Sequence, residues 1–225
     1  MSMDNFKDRK FIIFDLDGTL IDSNADILVA LTYALTTVGG IPEVELDRAL
    51  VDRYMGKGLH EIFAALLPTA HHHLLEEFVT TFRNYYRENC ATNTAIYPGG
   101  LDLLQKLREG NKLMAIATSK FHPNAQLIAN KLGLTPYFQY IQGTEPGEWR
   151  LKPDPYILNL LMEQAGFSPR DTVMIGDTDN DLLCAHRASV PVIAVTWGAW
   201  SADRLRELNP AALVENFAEL ATLLL

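Results

Sequence analysis

The chain has 225 residues, of which 48% are hydrophobic and 21% are charged, and its formal net charge is -9. This composition is ordinary for a soluble globular protein with a core, whereas the negative charge argues against a nucleic-acid partner, whose phosphates would be repelled. The two cysteines, Cys90 and Cys184, have no ligand-like spacing, which argues against a zinc site or a disulfide framework. No apolar run approaches the roughly 18 residues of a membrane span, and the polar N-terminus has no signal-peptide pattern. We therefore expect a cytoplasmic protein without a membrane partner.

Five short apolar runs, rich in β-branched and aromatic residues, predict buried strands. They cover residues 11–14, 112–117, 138–141, 172–175 and 190–195. Nearly continuous apolar strands that are separated by helices predict a parallel sheet covered on both faces. The expected fold class is therefore α/β, with a Rossmann-like parallel sheet core.

The segments after the first long loop predict one helix between each pair of strands. Proline near the start and glycine directly after the end mark three of these helices. The predicted helices cover residues 98–109, 123–132, 155–165, 179–188 and 202–208.

About ninety residues separate the first strand from the second, although a crossover connection needs only one helix. Apolar residues at three- and four-residue spacing predict helices there. These helices cover residues 26–38, 44–55, 59–67 and 74–89. We therefore expect an inserted all-helical cap subdomain over residues 23–92 and a Rossmann-like core made of residues 1–22 and 93–225.

Polar residues follow four of the predicted strands at their carboxyl ends, which is where open α/β sheets bind their ligands. They are Asp15 and Asp17, Thr118 and Ser119, Lys152, and the aspartates 177, 179 and 181. One such aspartate alone is more often a turn or N-cap residue. Their convergence from four strands favours a functional site instead.

Carboxylates that lie close together repel one another unless a cation or a proton lies between them. Hard oxygen ligands of this kind suit Mg²⁺. Such an ion would also supply the positive centre that an acidic protein needs in order to bind an anionic substrate. With a lysine and a hydroxyl beside it, the ion would complete a phosphate pocket.

Four motifs, in this order along the chain, resemble those of the haloacid dehalogenase superfamily, and within it the phosphoglycolate phosphatase-like group with a helical cap. The resemblance extends from Lys10 to about Val195. The matching segments are Asp15-Leu16-Asp17-Gly18-Thr19-Leu20, Thr118-Ser119, Lys152-Pro153-Asp154-Pro155 and Gly176-Asp177-Thr178-Asp179-Asn180-Asp181. Together the motifs are specific for the superfamily, but they say little about the substrate.

The resemblance implies a magnesium-dependent phosphatase that hydrolyses a small, phosphoglycolate-like phosphate monoester through an aspartyl-phosphate intermediate. Asp15 would be the nucleophile. Asp17 would protonate the leaving alkoxide and then take a proton from water. Because a departing halide needs no such acid, Asp17 argues against a dehalogenase.

The resemblance also assigns the metal and the phosphate ligands. Mg²⁺ would be held by the Asp15 carboxylate, the Asp17 backbone carbonyl and Asp177. Asp181 would lie behind these ligands and hold the metal's waters or Lys152. The substrate would be bound by Gly18, Thr118, Ser119 and Lys152, of which Thr118 and Lys152 also belong to the catalytic set.

The loop Met55-Gly56-Lys57-Gly58 is the candidate for recognising the rest of the substrate. Lys57 could contact a carboxylate or a second phosphate. A solvated lysine in a turn between helices explains this residue equally well.

Other activities fit the same motifs. A phosphosugar mutase or a pyrophosphatase of this architecture would use all four. A signalling receiver domain also carries a phosphorylated aspartate, but such domains lack a helical insert and carry their acidic pair side by side. The expected partner is a small-molecule phosphate ester, and the expected state is a monomer or a homodimer.

Overall fold

The computed structural model describes residues 5–38, 46–54, 56–145 and 150–225. The strands in chain order are β1 (Phe11–Phe14), β2 (Ile21–Asp22), β3 (Ala95–Ile96), β4 (Leu113–Phe121), β5 (Tyr140–Thr144), β6 (Thr172–Gly176), β7 (Val192–Val195) and β8 (Ala212–Val214). Six of them form one parallel sheet in the order β5-β4-β1-β6-β7-β8. The expected α/β fold is therefore confirmed.

The helices alternate with the strands and add an inserted group. In chain order they are α1 (Asn24–Val38), α2 (Arg48–Tyr54), α3 (Leu59–Leu66), α4 (Leu75–Asn89), α5 (Gly100–Glu109), α6 (His122–Lys131), α7 (Tyr156–Ala165), α8 (Asp179–Arg187), α9 (Ala202–Arg206) and α10 (Phe217–Leu224). The group α1–α4 follows β2, as the length of the first connection predicts. Met55, at the end of the predicted helix 44–55, lies outside the described residues.

The sheet buries both of its faces. Phe11 and Ile13 of β1 contribute to one apolar cluster, which contains residues of α7 and α8. Ile12 and Phe14 point to the opposite face and belong to a second cluster that continues into the helical insert. This alternation follows from the two-residue period of a strand, because successive side chains point to opposite faces.

The position of β1 in the sheet determines where the polar strand ends meet. β1 lies between β4 and β6, and all three run in the same direction. The residues that follow these strands therefore lie at one edge of the sheet, as expected for the carboxyl ends of parallel strands.

Cys90 and Cys184 are buried free thiols, as their spacing predicts. Within the described ranges, no helix combines the length and the apolar character needed to cross a membrane.

Candidate active site

Asp15 lies directly after β1 and is buried at the edge where the strands meet. Its backbone N–H donates to the Ile175 carbonyl at 2.9 Å. The Lys152 ammonium lies 2.5 Å from Asp15 Oδ1 and donates to the Ala117 carbonyl at 2.9 Å. The same ammonium lies 2.5 Å from Asp181 Oδ1. Lys152 therefore connects Asp15, which follows β1, to Ala117 within β4 and to Asp181 in α8.

Burial and neighbouring charges both shift the pKa values of Asp15 and Lys152. Burial raises the pKa of Asp15 well above its usual range; the Lys152 ammonium opposes this, and Asp181 and Asp177 add to it. Burial alone would lower the pKa of Lys152, but its two carboxylate partners raise it above its ordinary value. Lys152 therefore stays charged, and it favours the ionised form of Asp15.

Asp177 follows β6 and is fully buried. Its Oδ1 accepts a hydrogen bond from Thr19 Oγ1 at 3.0 Å, and its Oδ2 accepts one from the Ala199 backbone N–H at 2.7 Å. Burial, followed by the charge of Asp181, raises the pKa of Asp177 to about 7. A nearby cation would offset this effect by favouring the ionised carboxyl group.

Gly18 makes the close approach of the first loop to Asp177 possible. Its φ is +84°, which L side chains rarely adopt, and an added Cβ would lie 2.2 Å from Asp177 Oδ2. Any larger residue would therefore be strained in its backbone and would collide with a buried carboxylate.

Asp181 lies in the first turn of α8, where it forms a capping box with Thr178. Thr178 Oγ1 donates to Asp181 Oδ2 at 2.7 Å, and the Thr178 N–H donates to the same oxygen at 3.1 Å. Because Oδ1 is occupied by Lys152, both oxygens of Asp181 already have partners in the protein. This arrangement fits a residue that orients Lys152 from behind.

Three carboxylates form a buried cluster at the site. Asp15, Asp177 and Asp181 each offer one oxygen, and these oxygens lie within 4.8 Å of one another. Asp17 and Lys152 lie beside this cluster. The cluster could hold a divalent cation, since three buried carboxylates repel one another without positive charge between them.

The second predicted strand does not end at Ala117, because β4 continues to Phe121. Thr118 and Ser119 therefore lie within the strand and not after it. The pairing of β4 with β5 shifts register between Ala117 and Phe121, and such irregularities redirect side chains next to functional sites. Both side chains line the cavity, and the Ser119 hydroxyl is buried with no hydrogen-bond partner among the described residues.

Lys120 is a site residue that the sequence analysis missed. Its side chain is only 8% exposed, and its ammonium lies 3.0 Å from Asp17 Oδ1 and 2.7 Å from the hydroxyl of Tyr86, a residue of α4. Ser23, at the start of the insert, donates a hydrogen bond to the same Asp17 oxygen. The candidate acid is therefore held from two sides. A strand predicted to end at Ala117 would have left Lys120 in a solvated loop, and so no sequence pattern selected it.

A cavity of about 310 Å³ lies between the sheet edge and the helical insert. Asp15, Asp17, Thr118, Ser119 and Lys152 line its polar end. Gly56, Lys57 and Gly58 line it from the insert. The Gly56 carbonyl accepts a hydrogen bond from Asn180 Nδ2 at 3.3 Å, which connects the insert to the core.

The comparisons with known proteins agree with this architecture. Residues 12–195 match the family of haloacid dehalogenase-like hydrolases, and the chain belongs to this family. The protein is therefore a hydrolase with a Rossmann-like core and a helical insert.

Individual relatives match nearly the whole chain. A phosphoglycolate phosphatase from Mesorhizobium japonicum is 31% identical over 93% of this chain and 92% of its own length. A phosphoglycolate phosphatase from Agrobacterium fabrum is 34% identical, covering 92% of this chain and 89% of its own. A haloacid dehalogenase-like hydrolase from Streptococcus pneumoniae superposes with a TM-score of 0.84 at 28% identity, over 95% of this chain and 97% of its own.

Proposed function

We propose that this protein is a magnesium-dependent phosphatase that hydrolyses a small phosphate monoester through a phosphorylated Asp15. One observation carries the proposal: Asp15 and Asp17 line the polar end of a cavity, and the Lys152 ammonium lies 2.5 Å from Asp15 Oδ1. A buried carboxylate beside a lysine and a hydroxyl-lined wall suits attack on a phosphoryl group. The names of the relatives support the same class of reaction.

In this mechanism Asp15 attacks phosphorus and becomes an aspartyl phosphate, while the alcohol departs. Asp17 gives its proton to the departing oxygen and then takes one from the water that hydrolyses the intermediate. Ser23 and Lys120 hold the Asp17 carboxyl group in place for both steps. Lys152, Thr118 and the otherwise unpartnered Ser119 hydroxyl bind the phosphoryl oxygens.

The residues at the site fit a magnesium ion, because they offer hard, buried oxygen ligands from separate strands. Asp15, the Asp17 backbone carbonyl and Asp177 would hold the ion. Asp181 would act behind them by orienting Lys152, whose ammonium lies 2.5 Å from its Oδ1. When bound, Mg²⁺ would neutralise the charge on the phosphoryl oxygens.

The proposed function divides the chain into a cap and a catalytic core. Residues 23–92 would form a cap over the cavity, and residues 1–22 and 93–225 would form the catalytic core. A cap of this kind excludes water while the phosphoryl group is transferred.

Phosphoglycolate is the first substrate to test, since relatives carry that name. Whether Lys57 reads the substrate stays a prediction. Its ammonium lies 2.6 Å from Glu61, which competes with any anionic substrate group. Lys57→Ala tests this role: a larger rise in the KM for the true substrate than in the KM for p-nitrophenyl phosphate would support it, and an equal rise would exclude it.

The test of the proposed function is phosphate release in the presence of Mg²⁺. Asp15→Asn preserves the size of the side chain, and so it should abolish turnover while the circular dichroism spectrum stays unchanged. Substantial residual activity would remove Asp15 as the nucleophile. Isomerisation of a hexose 1-phosphate, or faster release from pyrophosphate than from any ester, would support a mutase or a pyrophosphatase instead.

A further inference from the structure

Much of the cavity wall is apolar. The insert supplies most of this part, with side chains from α1, α2, α3 and α4. The residues that form this apolar wall are Leu31, Leu50, Val51, Ile62, Phe82 and Tyr86. Five of these are largely buried members of the apolar cluster that continues from the sheet into the insert: Leu31, Val51, Ile62, Phe82 and Tyr86.

The cations around the cavity already have partners. Lys57 pairs with Glu61, His60 with Glu76, Lys120 with Asp17, and Lys152 with Asp15 and Asp181. The remaining cation that lines it, Arg83, lies exposed on α4 with its guanidinium 5.9 Å from the centre of the Phe121 ring. The residues outside the described ranges include no lysine, arginine or histidine. A second anionic group of a substrate could therefore be paired only by Arg83, at an exposed position, or by displacing one of these ion pairs. Placed against the apolar side chains without a cation, it would be desolvated and unpaired, which is strongly unfavourable.

The size of the cavity also argues against a two-carbon acid as the substrate. Its volume of about 310 Å³ is near the lower limit of pockets that bury drug-sized ligands, roughly 300–1,000 Å³. A two-carbon glycolate group would leave most of this volume unfilled. Each further methylene of a substrate that is buried against such a wall would raise the binding constant roughly fourfold.

From these observations, we propose that the alcohol part of the substrate is uncharged and apolar, an alkyl or aryl group of about six carbon atoms. The phosphate would lie at Asp15 and Lys152, and the hydrocarbon would lie against the apolar wall of the insert. This inference rests on the proposed phosphatase function and sets its substrate class. It departs from the two-carbon acid that the names of the relatives suggest.

The test compares phosphate esters whose leaving alkoxides have similar basicity, so that differences report the pocket and not the chemistry. With Mg²⁺ present, kcat/KM should rise at least about tenfold from ethyl to hexyl phosphate. Hexyl phosphate should also exceed 2-phosphoglycolate by about tenfold or more. Equal values along the alkyl series, or a preference for 2-phosphoglycolate, would overturn the inference.

A pair of variants tests where the selectivity resides. Leu50→Arg places a long cation at a half-buried position of the apolar wall, while Ala49→Arg adds the same charge at the neighbouring exposed position of α2. Leu50→Arg should lower kcat/KM for hexyl phosphate and raise it for 2-phosphoglycolate, whereas Ala49→Arg should leave both near the wild-type values. The same response in both variants would contradict a wall at residue 50.

Two further measurements separate this inference from the proposed function. If the wild type releases phosphate from any of these esters and Asp15→Asn does not, the proposed phosphatase function is supported, whatever the ranking of the esters. Calorimetric binding of hexylphosphonate and ethylphosphonate tests the pocket without turnover. Tighter binding of hexylphosphonate by about tenfold supports the apolar site even if no ester is hydrolysed, and equal binding overturns it.

Discussion

At the scale of single residues, Lys120 connects the proposed acid to the insert. Its ammonium contacts Asp17 in the core and the Tyr86 hydroxyl in α4, and it lies 4.6 Å from the centre of the Tyr86 ring. Burial would lower the pKa of Lys120, but Asp17 and Tyr86 raise it above its ordinary value. A charged lysine fixed in this way keeps Asp17 in one orientation.

Lys120→Met should therefore impair protonation of the leaving group. A positioned acid contributes roughly 10²–10⁴-fold, and so kcat/KM should fall by about 100-fold for an alkyl phosphate. The loss should be much smaller for p-nitrophenyl phosphate, whose leaving group needs no proton. Steady-state kinetics on both esters would measure the difference.

The exposed Lys131 provides the matched control for this variant. Lys131→Met should leave both activities unchanged, and Tyr86→Phe, which keeps the ring, should have an effect smaller than that of Lys120→Met. An equal loss on both esters in Lys120→Met would show that the residue does not act through Asp17.

Some residues of the site could be predicted from the sequence and others could not, and the difference has a physical reason. Asp15 and Asp177 follow short apolar runs whose length and β-branched content favour buried strands, so their position at the sheet edge is predictable. Lys120 becomes a site residue because β4 continues past Ala117 and because Tyr86 packs over it from the insert. Both causes involve contacts between segments distant in sequence, which local periodicity does not contain.

At the scale of elements, the junction between core and insert depends on Asp26. This buried side chain near the start of α1 accepts hydrogen bonds from the backbone and side chains of Asn93 and Thr94, at 2.6 to 3.0 Å. It thereby fixes the position where the chain returns from the insert. The adjacent antiparallel pair of β2 and β3 closes the same junction.

Asp26→Ala should lower the free energy of unfolding by about 3 kcal/mol, because it leaves buried donors of Asn93 and Thr94 without partners. Urea denaturation followed by circular dichroism would measure this change. Asp102→Ala, at an exposed position in the first turn of α5, is the control and should cost less than about 1 kcal/mol. Similar losses in the two variants would contradict a structural role for Asp26.

The same residue gives an expectation for low pH. Burial alone would raise the pKa of Asp26, but the hydrogen bonds from Thr94 and Asn93 lower it below the ordinary value of 3.8. A depressed folded pKa stabilises the protein above the unfolded value, and this contribution is lost as the pH falls through the folded pKa. Asp26→Asn should therefore weaken the dependence of stability on pH below about 4, measured by urea denaturation, and an unchanged acid limb would contradict this.

The elements that the sequence missed are short or depend on their neighbours. β8 has three residues at the edge of the sheet, too few to show a period, and α10 follows it as an eight-residue apolar helix. The parallel core strands were predictable because both of their faces are buried. The extra length of β4 was not, since Thr118, Ser119 and Lys120 interrupt its apolar run.

At the scale of the whole molecule, the carboxylate cluster should make stability depend on metal and pH. Burial and Asp181 raise the pKa of Asp177 to about 7 from an ordinary value of 3.8. A raised folded pKa means that the folded state holds a proton which the unfolded state has released. In EDTA, the melting temperature should therefore fall as the pH rises from about 4 to 7.

Scanning fluorimetry in EDTA and in Mg²⁺ would check this prediction. Mg²⁺ should recover stability most strongly above pH 7, where it replaces the proton, and Asp177→Asn should flatten the slope in EDTA. A slope that stays the same in Asp177→Asn would show that this carboxylate is not responsible.

The central claim is that Asp15 forms a covalent bond to phosphorus. Its most direct test is to quench a reacting sample in acid, reduce the acyl phosphate with borohydride and locate the product by mass spectrometry. We predict homoserine at position 15 in the wild type and none in Asp15→Asn. Homoserine at another aspartate, or none in an enzyme that is turning over substrate, would contradict the mechanism.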